Sequence, residues 1–130
     1  LSQCLAPQLG QDTLCFITDY PRSQASLAQI NTHDPRTAAR FELYYQGMEL
    51  ANGFTELTDR PEQAERFAQE NQLRRKRGQS PMPIDQHLLA ALAHGMPASS
   101  GVALGLDRVL MVKLGLSDID QVLAFSLLRL

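Results

Sequence analysis

Two glutamates, Glu42 and Glu49, bracket the segment LYYQGM. Around them apolar and polar residues alternate, and Gln46-Gly47 fits a two-residue hairpin turn. Tyr45 then faces Met48, Tyr44 faces Glu49 and Glu42 faces Ala51. The carboxylates become diagonal neighbours on one face, ~7–8 Å apart at the backbone. Such a pair could hold a divalent cation. Mg2+ takes one or two carboxylates and completes its shell with substrate phosphate oxygens, so a nucleotide would complete the site. The competing reading is two glutamates on a solvated sheet face.

Next comes Glu49-Leu50-Ala51-Asn52-Gly53-Phe54-Thr55-Glu56. Strict alternation turns Glu49 away from Asn52 and Glu56, and a bulge or bend at Asn52-Gly53 could bring all three to one cavity. Asn-Gly equally spells a second tight turn. Farther on, Gly101-Val102-Ala103-Leu104-Gly105-Leu106-Asp107-Arg108 puts small residues at every second position. A flat ligand such as a purine could lie against that strand face, with Arg108 at the start of a helix to stack on a base or grip a phosphate. A close-packed strand with a surface arginine is spelled the same way. The run Arg74 to Arg77 reads as a solvated helix end. His87 and His94, seven apart on one helix, are too far apart for direct ligand pairing and read as structural, and His33 lies in a loop.

The elements that must position these residues follow from local signals. TLCFITDY, residues 13 to 20, is a strand ending at Pro21, and a polar stretch runs from Arg22 to Arg36. After the hairpin, Thr58 or Asp59 caps a polar helix reaching about Arg77, with Pro61 in its first turn and Gly78 as its stop. Asp85 caps a second helix that ends at Gly95. Gly101 to Leu106 forms a strand leading into a helix at about Asp107, stopped by Gly115. Val122 to Leu128 reads as a last buried strand. Strands and helices mix without a βαβ rhythm, so the expected class is α+β with a mainly antiparallel sheet.

The bulk properties exclude more than they identify. With 12 basic and 14 acidic residues the net charge is -2, which gives no nucleic-acid footprint. The two cysteines, Cys4 and Cys15, make neither a disulfide framework nor a zinc spacing. No apolar run approaches the ~20 residues of a membrane span, and a cytoplasmic protein is expected. The first residue is Leu1, so a segment of a longer protein is expected.

Taken together, FELYYQGMELANGFTEL and GVALGLDR resemble the lysine and metal region and motif 3 of the class II lysyl-tRNA synthetases, in the same order and separated by two helices. Ala103 stands where those synthetases have glycine. With MPASSGVALG and FELYYQGMELANGFTELTD, the chain is similar throughout to the group that ligates (R)-β-lysine to elongation factor P. The resemblance implies that residues 1–130 are the C-terminal part of a class II synthetase-type catalytic domain, an antiparallel sheet with flanking helices and motif 3 at 101–108. Motifs 1 and 2 have no counterpart here, so the piece alone should lack activity. By position it implies Glu42 and Glu49 as ligands of Mg2+ held against ATP. Gly101, Gly105 and Arg108 join them in ATP binding, with Arg108 acting in catalysis by packing on adenine and meeting the γ-phosphate. Asn52, Glu56 and Ala103 would hold lysine or (R)-β-lysine, with Glu56 pairing with the side-chain ammonium and the Ala103 methyl favouring the β-amino acid. The implied partner is elongation factor P rather than tRNA, in a homodimeric parent without a membrane. A tRNA-charging lysyl enzyme and a non-catalytic nucleotide- or partner-binding module are the alternatives.

Overall fold

The computed structural model describes residues 4–126. Four strands form one antiparallel sheet in the order β1 (Cys15–Pro21), β2 (Thr37–Tyr45), β3 (Met48–Thr55), β4 (Ser100–Leu104), and three α-helices accompany it among the described residues: α1 (Arg60–Lys76), α2 (Gln86–His94) and α3 (Leu106–Leu114). The α+β expectation holds. No helix among the described residues is long and apolar enough to cross a membrane.

The chain divides into two compact units. One draws on the chain up to Thr18, on Phe41–Gly53 and on the chain from Val102 onward. Its hairpin turns at Gln46 and Gly47 with φ of 47° and 76°, the two left-handed residues of a type I′ turn. The segment before β1 fastens to this turn, with Gln46 N–H donating to Gly10 O at 2.6 Å and Gly47 N–H to Leu9 O at 2.8 Å. Gly10 has a φ of +66°, and a β-carbon there would lie 2.7 Å from Tyr44 O, so only glycine allows the approach. Phe16 and Phe41 pack with ring centroids 5.7 Å apart. Tyr44, Leu50, Ala51 and Met111 are buried. Helix α3 starts at Gly105 without a side-chain cap and stops at Gly115 in the left-handed conformation.

The other unit comprises Asp19–Arg40 and Phe54–Gly101. Its core is made of small residues, Ala25, Ala28 and Ala38, with Ile30 and Phe54 packed against them. Alanine suits this place because an irregular segment must approach two strands closely. Ala28 forms an antiparallel bridge with Glu56, and Ile30 one with Ala38. The Asp59 carboxylate caps α1 by accepting from Glu62 N–H at 2.7 Å, and Asp85 caps α2 by accepting from Leu88 N–H at 3.0 Å. Asn71 on α1 pins the following connection by exchanging two hydrogen bonds with the Met82 backbone.

Two expectations need correction. Asn52-Gly53 is not a tight turn, since β3 runs through both residues and neither has a positive φ. The pairing with β4 prevails over the local turn signal. Likewise Val122 to Ser126 is not a strand. Asp118 caps a short 3-10 turn at Ile119–Gln121 by accepting from Asp120 N–H, and Ser126 donates to the Asp120 carboxylate at 2.7 Å. Residues 127 and 128 of the expected strand lie outside the described residues.

Candidate functional site

In the first unit the register of the hairpin sets the geometry. A two-residue turn puts Tyr44 directly across from Glu49, and Tyr44 Oη donates to Glu42 Oε2 at 2.5 Å. Glu42, Tyr44 and Glu49 therefore share a face, as the spacing predicted. Glu42 is buried, with only 8% of its surface exposed. A buried carboxylate needs compensation, and the phenol supplies part of it. Tyr44 was not singled out from the sequence. The signal was there, because a residue two positions from Glu42 on a strand must lie beside it on the same face.

Tyr44 and Glu49 also line a cavity of about 570 Å3, together with Arg108, Met111, Asp118 and neighbouring residues of the hairpin turn and the chain after α3. Glu42 and Asn52 are not among its lining residues. Arg108 enters from the first turn of α3, where Nη1 donates to Glu49 O at 2.7 Å. Its aliphatic stem lies over Gly105, where a β-carbon would meet Arg108 Cδ at 3.4 Å. Among the described residues Arg108 forms no ion pair, which leaves most of its guanidinium donors beside the cavity. No cluster of three or more metal-ligating side chains occurs among the described residues. A pair of carboxylates that needs oxygens from a bound phosphate to complete a shell fits Mg2+ chemistry, and it would not make a closed structural site.

Strand pairing locates the remaining candidates. Gly105 N–H donates to Leu50 O at 2.9 Å, which puts Ala103 directly across from Asn52 in the first unit. In the second unit Glu56 N–H donates to Ser99 O at 3.0 Å, so Glu56 and Gly101 are diagonal neighbours on one side. Glu56 Oε1 lies 3.2 Å from where a β-carbon on Gly101 would be. The small residues of β4 thus sit beside Asn52 in one unit and Glu56 in the other. Of the residues set aside, Cys4 and Cys15 are free thiols, and His87 and His94 lie on α2.

Residues 6–129 match the family of class II tRNA synthetases (D, K and N). With nearly the whole chain matched, the protein belongs to that family, whose members use ATP. Among curated proteins the chain is 56% identical over 123 residues to the elongation factor P–(R)-β-lysine ligase of Edwardsiella ictaluri, covering 95% of this chain and 38% of the relative. The ligase of the same name from Salmonella gallinarum is 54% identical over 129 residues, covering 99% of this chain and 40% of the relative. That of Pseudoalteromonas translucida is 52% identical over 123 residues, with 38% of the relative covered. The chain spans about two fifths of the length of these relatives.

Proposed function

We propose that this chain is the C-terminal portion of an ATP-dependent ligase that activates (R)-β-lysine and transfers it to a lysine of elongation factor P. In the first step a substrate carboxylate oxygen attacks the α-phosphorus of ATP, forming the acyl-adenylate and releasing pyrophosphate. In the second the ε-amine of the acceptor lysine attacks the acyl carbon, and AMP leaves with the bonding electron pair. Glu42 and Glu49 would hold Mg2+, which when bound neutralises phosphate charge. Arg108 would stabilise the negative charge that develops on the phosphates and offer its plane to the adenine. Asn52, Ala103 and Glu56 would take the amino acid, with the Glu56 carboxylate pairing with its terminal ammonium. A cytoplasmic homodimer acting on a protein acceptor, not on tRNA, belongs to the same reading. The alignment with the named ligases along nearly the entire chain supports it.

The observation that carries the amino-acid assignment is the Glu56 carboxylate lying against the side-chain-free Gly101 on the small-residue strand. Glu56→Gln in the full-length protein carrying this chain keeps the shape and removes the charge. Amino-acid-dependent pyrophosphate exchange should fall roughly 10- to 100-fold, in line with a charged hydrogen bond of ~1.5–3 kcal/mol, while ATP binding stays within twofold. Undiminished exchange would refute the assignment.

A further inference from the structure

Gly101 opens the small-residue run of β4, and a purine lying on that face would make it a nucleotide residue. A β-carbon on Gly101 would meet one atom, Glu56 Oε1 at 3.2 Å, and nothing else within 4 Å. The φ of Gly101 is not positive, so the backbone does not demand glycine here. What the missing side chain provides is room, and the atom that uses this room belongs to a carboxylate.

We infer that Gly101 determines amino-acid specificity by setting the position of the Glu56 carboxylate. The inference rests on the reading of Glu56 given above. A methyl group at 101 leaves the strand pairing intact and forces the far end of a flexible side chain to give way by a few tenths of an ångström. The charge-assisted hydrogen bond to a substrate ammonium weakens when such a shift spoils its distance and angle. Gly101 is thus a positioning residue, acting through Glu56.

The test uses Gly101→Ala, Glu56→Asp and the double variant in the full-length protein, with pyrophosphate exchange as the readout. Gly101→Ala should raise the KM for (R)-β-lysine about five- to tenfold and leave the KM for ATP within twofold. It should also change the ratio of kcat/KM between (R)-β-lysine and the shorter ornithine, since the carboxylate meets the ammonium elsewhere. Glu56→Asp withdraws the carboxylate by one methylene, so the loss in the double variant should be smaller than the product of the two single losses. A rise in the KM for ATP alone, or losses that multiply, would overturn the inference. So would a Gly101→Ala protein that fails to fold, because the space would then serve packing. Glu56→Gln separates the two levels: if it leaves amino-acid activation intact, the reading of Glu56 fails. If it impairs activation while Gly101→Ala does not, only the inference about Gly101 fails.

Discussion

Two arginines, one in each unit of the molecule, organise their surroundings in opposite ways. Arg66 on α1 has a side chain only 17% exposed. Its Nε and Nη2 bond the Glu62 carboxylate, and its Nη1 reaches Ser26 O at 2.9 Å and Ala28 O at 2.7 Å. Every nitrogen of the guanidinium is committed to the protein, and what it secures is the irregular segment that carries the alanine core. Arg108 on α3 gives one hydrogen bond, to Glu49 O, and lines a cavity with Tyr44 and Glu49. The same functional group serves as a structural tie where its donors are consumed internally, and as a ready anion partner where they face open volume. Satisfaction of donors distinguishes the two roles better than charge does.

The sharpest way to break this contrast is to remove each guanidinium and ask whether stability or chemistry responds. Arg108→Ala in the full-length protein should lower kcat/KM for ATP on the order of a hundredfold, the usual consequence of deleting a preorganised donor to developing charge. Its stability should change by about 1 kcal/mol or less, because one hydrogen bond and the packing of a stem over Gly105 are lost. ATP titrations and chemical denaturation of the same preparation separate the two quantities. A large loss of stability with undisturbed ATP use would make Arg108 a structural arginine like Arg66.

Arg66→Ala should show the inverse pattern. It strands two carbonyls and a carboxylate in a part-buried setting, and a loss of ~1.5–3 kcal/mol in urea unfolding is expected. The KM for ATP of the folded protein should be unaltered. Arg66→Lys should recover only part of the stability, because a single ammonium cannot reproduce the planar fork that holds Glu62 and two carbonyls together. Full recovery would mean that charge alone, and not the geometry of the fork, secures the segment.

What could be read in the sequence divides along the range of the interactions. The Gln46-Gly47 turn, the Asp59 and Asp85 caps and the Gly115 stop depend on neighbours within a few residues, and each lies where the sequence put it. Asn52-Gly53 carries an equally strong local turn signal, yet Leu50 pairs with Gly105 across 55 positions and the strand continues. Residues 25 to 30 read only as part of the polar stretch from Arg22 to Arg36, because their place in the core is set by distant bridges to Ala38 and Glu56. The candidate site follows the same rule. That Glu42 and Glu49 share a face was legible from one turn, whereas the contact of Gly101 with Glu56 needed the register of β3 against β4. Spacing put Gly101 on a small-residue strand face and could not show which side chain stands beside it.

The smallest expected effect comes from a third arginine, Arg36, which like Arg66 turns its Nε and Nη2 on a single carboxylate but lies on an exposed loop. Its Nε and Nη2 bond the two Asp34 oxygens at 2.9 and 2.8 Å, and its own N–H donates to Asp34 Oδ1 at 3.0 Å. The side-chain hydrogen bonds first, and the backbone bond second, hold the Asp34 carboxyl at a pKa of about 2, below its ordinary 3.8. Where the unfolded chain binds a proton that the folded one does not, between the two pKa values, stability rises with pH. The contribution is therefore complete above about pH 4 and fades as the pH falls from 3.8 toward 2. Solvent and salt screen a pair this exposed, so its whole effect should be small. Urea unfolding of the protein and of Asp34→Asn at pH 7, 5, 4 and 3 should give a difference that is constant from pH 7 to 5 and shrinks below 4. Arg36→Ala should leave part of the pH dependence in place, since the backbone N–H at position 36 still donates to Asp34. If Arg36→Ala removes the pH dependence completely, the side-chain fork alone sets the carboxyl, and the exposed pair resembles Arg66 more closely than its accessibility allows.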